Sequence, residues 1–373
     1  MTANLVSVII PSYNHQEFLS KRIESVLQQS YQHLEVILLD DASSDDSAAL
    51  LSSYKNNSKI TSTIINDENS GSPFKQWLKG IAEATGDYIW IAESDDFADP
   101  DFLKSSVTVL DNDSTIGMTF CDSYEVDSDD RIIGQSYTDI LPDDSGVTIF
   151  EGPDFCRNYL SQRNTIANVS SVLFRRTSLR NIDTYFSHMS MLGDWFLYLD
   201  LLQNHKIAHI NKRLNYFRQH STTTRMNRTD ARWYQLLGEI VSIAKYLRSQ
   251  NYISSPESAA LIESYYESLN FFINLDISPL LENGYTDICI YGAGTLGRLT
   301  LETLRETDSG IQCAYFIDRN AGHLTSIGNI AVIAIDDYLK KELELPIFIA
   351  SVAFYKDIKK ILRTHGIEDK VIN

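Results

Sequence analysis

Residues 86–101 read GDYIWIAESDDFADPD. Tyr88 to Ala92 is a short apolar run rich in aromatic and β-branched residues, bounded by Gly86 before it and by carboxylates after it, which is the pattern of a buried strand. The strand is expected to end where the charge begins. Open α/β sheets bind ligands beyond the carboxyl ends of their strands, so Glu93, Asp95 and Asp96 are expected at the mouth of a crevice. Adjacent carboxylates there suit a hard divalent cation, Mg²⁺ or Mn²⁺, whose shell diphosphate oxygens can complete. A plainer reading stands beside this one: Ser94-Asp95-Asp96 caps the helix that follows, with Pro100 suited to its first turn.

Working outward, the preceding residues alternate between strand and helix. Leu5 to Ile10 is a strand candidate that stops at the turn-forming Pro11-Ser12-Tyr13-Asn14. Between Glu17 and Gln29 the apolar Phe18, Leu19, Ile23, Val26 and Leu27 recur at helical spacing, and Leu34 to Leu39 is a second strand ending at Asp40-Asp41. Ser43 to Tyr54 reads as a helix, Ile60 to Ile65 as a strand and Phe74 to Ala84 as a helix. Such alternation predicts a parallel, doubly wound sheet. Three strand ends then carry compatible chemistry: Pro11 with Tyr13, Asp40 with Asp41, and Asp95 with Asp96. A ring, a carboxylate that accepts from a base N–H and a metal-binding carboxylate would together hold a nucleoside diphosphate.

The chain of 373 residues calls for two or three domains at roughly 150 residues each. No apolar run approaches the about 20 residues that span a bilayer, and the N-terminal pattern, with no basic region before a short apolar run, is not that of a signal peptide. A soluble cytoplasmic protein is expected. Cys121, Cys156, Cys289 and Cys313 are far apart and form no C-x-x-C pair, so buried thiols are expected. A net charge of −18 argues against generic nucleic-acid binding, which needs a cationic footprint.

VSVIIPSYNHQEFLSKRIESVLQQSYQHLEVILLDDASSDDS followed by GDYIWIAESDDF resembles the N-terminal half of glycosyltransferase family 2, enzymes of the GT-A fold. The resemblance covers about the first 220 residues. It implies transfer of a sugar from a nucleotide-sugar donor to an acceptor hydroxyl, usually with inversion. It places Pro11 and Tyr13 on the donor base, Asp41 on the base edge, Asp95 toward the ribose and Asp96 on the metal, with Glu17 at the same helix start. Where many relatives carry Arg-Asn before Gly-Ile, this chain reads Trp77-Leu78-Lys79-Gly80-Ile81, and Lys79 stands as a substitute donor contact or as a solvated lysine. Gly193-Asp194-Trp195 is similar to the family's Glu-Asp motif, with Gly193 in the Glu place, and implies Asp194 as the catalytic base. The bland alternative is an acidic residue favouring the dipole of a helix start. Leu214 to His220 is similar to the Tyr-x-x-His stretch that closes the donor site, which implies a metal or diphosphate contact for His220. Gln-x-x-Arg-Trp, found in processive membrane-embedded relatives, is absent before Arg232-Trp233, so addition of a single sugar is expected.

Elsewhere Met118 to Tyr124 and Asn168 to Phe174 read as strands, and Asp127 to Gly146 as a polar surface excursion. Lys206, Lys212, Arg213, Arg218, Arg225, Arg228 and Arg232 concentrate positive charge, a patch for a diphosphate, for an anionic membrane surface carrying a lipid-linked acceptor, or simply for solvent. Arg232 to Phe272 has helical periodicity broken at Ser254-Ser255-Pro256. From Thr286 a second α/β pattern begins: strand Ile288 to Tyr291, the G-x-G-x-x-G turn Gly292 to Gly297, a helix, and strand Cys313 to Ile317 ending at Asp318, placed for a ribose contact.

The expected architecture is thus α/β: a GT-A domain over 1–225, a helical connector over 226–284 and a small Rossmann-like domain over 285–373. The glycines Gly292, Gly294 and Gly297 either cradle a nucleotide or only permit close helix–strand packing. The expected function is a metal-dependent, inverting transferase of one sugar, from a UDP-sugar by preference, in surface polysaccharide or glycoconjugate assembly. Its partners would be the nucleotide-sugar donor and a glycan or lipid-linked acceptor, with a position in the cytoplasm or at the inner face of a membrane. Three rivals are weighed. A sugar nucleotidyltransferase lacks its Gly-rich phosphate loop here, because Pro11-Ser12-Tyr13-Asn14 fills that place; an NAD-dependent oxidoreductase would rest on the C-terminal motif; a non-catalytic nucleotide-sugar-binding protein would not need Asp194.

Overall fold

The computed structural model describes residues 3–135, 141–142, 146–179, 182, 186, 189–219, 230–273, 280, 283–306, 310–322, 324–351 and 354–372. The chain divides into two compact units, Met1–Leu261 and Ile262–Asn373.

The first unit is built on one mixed sheet. Its strands are β1 (Val6–Ser12), β2 (Leu34–Asp40), β3 (Ile60–Ile65), β4 (Tyr88–Ile91), β5 (Phe97–Ala98), β6 (Ile116–Val126), β7 (Ile132–Gln135), β8 (Val147–Phe150), β9 (Val172–Arg175) and β10 (Lys206–Arg218). Their order is β3-β2-β1-β4-β9-β6-β10-β5, with β7 added to β6 and β8 to β10. β3, β2, β1 and β4 run parallel, linked by α1 (Gln16–Leu27), α2 (Ser47–Ser53) and α3 (Pro73–Glu83). From β9 onward antiparallel pairs enter, β4 with β9 and β9 with β6. The chain winds outward from β1 to β3 and then returns to the other side of β1 as β4. That reversal opens a crevice beyond the carboxyl ends of β1 and β4.

Why these residues form these elements follows from burial. Every residue of β1, β2 and β4 is buried, as expected of parallel strands covered on both faces. Val8, Ile10, Leu19, Ile23, Val36, Leu38, Trp90 and Phe102 share one core, to which α4 (Phe102–Asn112) contributes Leu103, Val107 and Leu110. On the other face Gly80 of α3 lies against Ile9, whose Cγ2 would stand 2.3 Å from any Cβ there, so α3 sits close on β1 only because this residue has no side chain.

Two boundaries differ from the sequence reading for identifiable reasons. β1 continues through Pro11, paired with Leu39 of β2, because β4 has already ended at Ile91 opposite Ile9 and no partner on that side needs the missing N–H. α2 begins at Ser47 rather than Ser43, since the Asp45 carboxylate accepts the Ser47 N–H (3.0 Å) and the Asp40 carboxylate the Ser43 N–H (2.9 Å), holding the intervening residues in turns.

Further helices are α5 (Gly193–Leu201), α6 (Asp230–Ser249) and α7 (Ser255–Ile273). The second unit contains β11 (Asp287–Tyr291), α8 (Thr295–Glu306), β12 (Gln312–Ile317), β13 (Ser326–Ile327), β14 (Ile330–Ile333), α9 (Ile335–Lys340), β15 (Ile347–Ile349) and α10 (Tyr355–Thr364). Its sheet has the order β13-β14-β12-β11-β15, with β14, β12, β11 and β15 parallel. All four cysteines are buried free thiols. No helix among the described residues is long and apolar enough to cross a membrane.

Candidate functional site

The loops after β1 and β2 are fastened to each other. Asn14 and Ala42 both take left-handed backbone (φ 54° and 58°), and the Asn14 N–H donates to Ser43 Oγ (2.9 Å) while its Oδ1 accepts the Ser44 N–H (2.7 Å). Tyr13, the residue before this turn, is held outward and is 47% exposed, and Glu17 is exposed on the first turn of α1. Pro11 is buried in β1.

Asp41 is an acceptor hub. Its Oδ1 receives Asn66 Nδ2 (2.7 Å), the Ser70 N–H (2.9 Å) and Gln76 Nε2 (2.7 Å), and its Oδ2 receives Ser70 Oγ (2.8 Å). Lys79 reaches the same group at one remove, donating to Asn66 Oδ1 (2.5 Å). Thus Lys79 and Asp41, singled out separately in the sequence, belong to one network.

Beyond β4 the carboxylates diverge in environment. Glu93 accepts from Trp77 Nε1 at 2.7 Å; burial, with the charge of Asp95 added, pushes its carboxyl up to about 8. Asp96 is only 1% exposed and its affinity for a proton is likewise raised by burial and then by Asp95. Its Oδ1 accepts the Arg218 N–H (2.9 Å), its Oδ2 accepts from Asn168 Nδ2, and the Arg22 guanidinium lies 3.7 Å away. Asp95 is half-buried. Arg22 is fully buried and spans the turn from beneath, its Nε donating to the Glu93 carbonyl at 2.7 Å. Burial lowers its guanidinium to about 10, against the opposing pull of Asp96 and Asp95.

Arg218 corrects the sequence reading of a surface cationic patch. Rather than facing solvent it is 1% exposed, donating from Nε to the Asp95 carbonyl (2.7 Å), from Nη1 to the Asp127 carbonyl (2.7 Å) and from Nη2 to Asp130 (2.5 Å). A buried guanidinium needs such partners, and the carbonyl-lined turns after β4 and β6 supply them. The expectations for His220, Arg225 and Arg228 fall outside the described residues.

Asp194 lies in the first turn of α5, its Oδ1 accepting the Trp195 N–H (2.8 Å) and its Oδ2 accepting Asn164 Nδ2 (2.9 Å). A chain of contacts leads from it to the acidic turn. Neighbouring Gly193 abuts the Phe74 ring, Phe74 packs edge-on against Trp77 (centroids 4.8 Å apart), and Trp77 donates to Glu93. His15, Arg22, Gln76, Asn164 and Asn168 were not singled out in the sequence. His15 ties the β1 loop to the acidic turn through Nδ1 and Ser94 Oγ (2.8 Å). Each acts across 30 to 79 residues of chain, and no local pattern marks such a partner.

In the second unit Asp318 accepts the Ala293 N–H of the glycine turn (2.8 Å) and the Asn320 N–H (2.9 Å). Gly292 has φ +111°, and a Cβ on Gly297 would stand 1.8 Å from the Gly292 carbonyl oxygen. Gly294 faces open space, a Cβ there meeting nothing within 4 Å. Packing therefore accounts for two of the three glycines.

Residues 7–182 match the family described as Glycosyl transferase family 2. Among curated proteins the chain is similar to the glycosyltransferase GlyG of Streptococcus pneumoniae (27% identical over 154 residues, 41% of this chain and 46% of that protein). It is also similar to the abequosyltransferase RfbV of Salmonella typhimurium (29% identical; 45% and 51%) and to the putative teichuronic acid biosynthesis glycosyltransferase TuaG of Bacillus subtilis (35% identical; 28% and 42%). The match thus spans about half the length of these relatives or less. Among solved structures, S. aureus TarS residues 1–349 in complex with UDP has a TM-score of 0.53 at 15% identity, covering 82% of this chain and 83% of that one. The complex of the same TarS segment with UDP-GlcNAc gives 0.51 at 17% identity over the same shares. The α/β fold is therefore of the GT-A kind that TarS has.

Proposed function

We propose that this protein is a glycosyltransferase that moves one sugar from a nucleoside-diphosphate sugar, UDP-linked by preference, to a hydroxyl of a glycan or lipid-linked glycan, with inversion. The observation that carries the reading is the chain of contacts Gly193, Phe74, Trp77, Glu93, which links the helix start bearing Asp194 to the carboxylate turn at the switch point of the sheet. Tyr13, exposed at the end of β1, offers its ring to the donor base, and the Asp41 hub with Lys79 behind it borders the same loops.

Direct displacement at an anomeric carbon needs a base on the face opposite the leaving diphosphate, within reach of the acceptor hydroxyl. Asp194 is assigned that role: it takes the acceptor proton as the acceptor oxygen bonds to the anomeric carbon and the diphosphate departs with the electron pair. Asn164, donating to Oδ2, orients the carboxylate.

The acidic turn fits Mg²⁺ or Mn²⁺ in its chemistry, since Glu93, Asp95 and Asp96 bring carboxylate oxygens and negative charge to one strand end, and the charge of Asp95 adds to burial in raising the proton affinity of the other two. Among the described residues no three acidic, His or Cys side chains are grouped to hold a metal by themselves, so the donor's diphosphate would complete the shell. The resemblance puts Asp96 on the metal and Asp95 toward the ribose; because Arg218 and Asn168 already occupy the Asp96 oxygens, we assign the two the other way round, with Asp95 as the ligand from the chain and Asp96 as the residue that fixes the turn. When bound, the cation would offset charge developing on the leaving diphosphate.

The test is calorimetric binding of UDP, with and without Mn²⁺, together with UDP release from a panel of UDP-sugars. Asp194→Asn should bind UDP as the native protein does and lose turnover; a variant that keeps turnover sinks the assignment. For the second unit, the glycine turn is read as a nucleotide site, supported by Gly294, the glycine that packing does not require.

A further inference from the structure

The turn that leads into α5 is held by a residue from a different helix. Glu239 lies midway along α6, is only 4% exposed, and directs both carboxylate oxygens at residues 190–192. Oε1 accepts the Ser190 N–H (2.8 Å) and Ser190 Oγ (3.1 Å); Oε2 accepts the Met191 N–H (3.1 Å) and the Leu192 N–H (2.8 Å). Three consecutive amides converging on one anion form a nest, and four donors fill the acceptor capacity of an ionised carboxylate. Leu192 is the N-cap of α5 and makes no side-chain cap of its own; its N–H, which the glutamate of a capping box would take from the third helical position, is taken here by Glu239 from 47 residues away.

We propose that Glu239 is the positioning residue for Asp194, fixing the entry of α5 so that the carboxylate two residues beyond Leu192 meets the acceptor at one angle. The inference rests on the reading of Asp194 as the base. Asp194 makes its bonds to Trp195 and Asn164 from a helix start whose last free turn is Ser190 to Leu192. A rotation of that turn carries the carboxylate with it. Simple docking of α6 on α5 is served at another place, where Tyr246 donates to Asp200 (3.0 Å) and packs on Phe196 (centroids 4.7 Å apart). The two contacts are separable by mutation.

The experiment uses the full chain as native protein, Glu239→Ala, Glu239→Gln and Tyr246→Phe. Amide hydrogen exchange is read at Ser190, Met191 and Leu192, and the NMR signal of the Asp194 carboxyl carbon is followed through a pH titration. Glu239→Ala should speed exchange at the three amides by roughly tenfold or more and shift the Asp194 signal, with UDP binding unchanged. Glu239→Gln, which keeps one acceptor oxygen, should give a smaller effect of the same kind, and it supplies the reading if the alanine variant does not fold. Tyr246→Phe should leave both signals in place. An unmoved Asp194 signal in Glu239→Ala or Glu239→Gln, or an equal shift in Tyr246→Phe, overturns the proposal. Turnover retained in Asp194→Asn would sink the base assignment instead, and neither spectroscopic readout depends on it.

Discussion

Gly193 lies so close to the ring of Phe74 that a Cβ built on it would stand 2.7 Å from Cζ. Phe74 is in turn stacked on Phe186 (centroids 5.1 Å apart) and edge-on to Trp77, so the ring has no room to retreat. The place where the resembled motif carries glutamate is therefore closed to any side chain in this molecule. Gly193→Ala should destabilise the protein by about 2 kcal/mol, within the usual cost of overpacking, and Phe74→Leu should recover part of the loss. Urea unfolding of the two single variants and the double variant checks this; additive losses would show that the ring is not the obstacle.

The acidic turn should make stability depend on pH in an unusual direction. Glu93 is raised from its ordinary 4.5 to about 8, so between these values the folded chain keeps a proton that the unfolded chain has released. Folded protein binding more protons means that stability falls as pH rises through this window and levels off above it. Urea midpoints should drop between about pH 5.5 and about pH 8.5, and Glu93→Gln, neutral throughout, should flatten the slope. A native midpoint that rises over the same range would contradict the proton-holding state of Glu93.

Much of the first unit was legible because its strands β1 to β4 are short apolar runs that stop at turn residues or carboxylates, and the helices between them keep helical spacing. The carboxyl-end carboxylates followed from the same pattern. β10 was less legible: expected over Leu214 to His220, it begins at Lys206 and pairs with β6 through register shifts near Arg213, and its charged Lys212 and Arg213 interrupt the alternation that marks a strand. Arg218 read as one more surface cation because burial of a guanidinium depends on the carbonyls of Asp95 and Asp127, which arrive from other elements. Glu239 was invisible for the same reason. Its partners are backbone amides 47 to 49 residues earlier, and a backbone amide carries no sequence signature.

Asp95 and Asp96, adjacent in sequence, should separate cleanly by experiment. Asp96→Ala removes the acceptor from the Arg218 N–H and from Asn168 Nδ2, both buried, and should cost about 2 kcal/mol of stability for the orphaned donors. Asp95→Ala should cost much less, because the residue is half-buried. For Mn²⁺-dependent UDP binding the order should reverse, with Asp95→Ala the more damaged. Urea unfolding and calorimetry on the same preparations decide it, and a stable Asp96→Ala that has lost only cation dependence would exchange the two roles.

The glycine turn of the second unit separates packing from ligand approach in the same way. In Gly297→Ala the new Cβ would stand 1.8 Å from the Gly292 carbonyl oxygen, a backbone atom that cannot swing aside, so the turn between β11 and α8 must open. A loss of about 3 kcal/mol is expected, at the upper end of overpacking costs, read as faster hydrogen exchange in β11 with β1 to β4 unaffected. Gly294→Ala meets nothing within 4 Å and should leave exchange in β11 as it is. If the turn holds a nucleotide, the same methyl group should weaken UDP or NAD binding to this unit, because it stands where a phosphate would come nearest to the backbone. Nucleotide binding that persists in Gly294→Ala would leave the turn with the packing role of Gly292 and Gly297 alone.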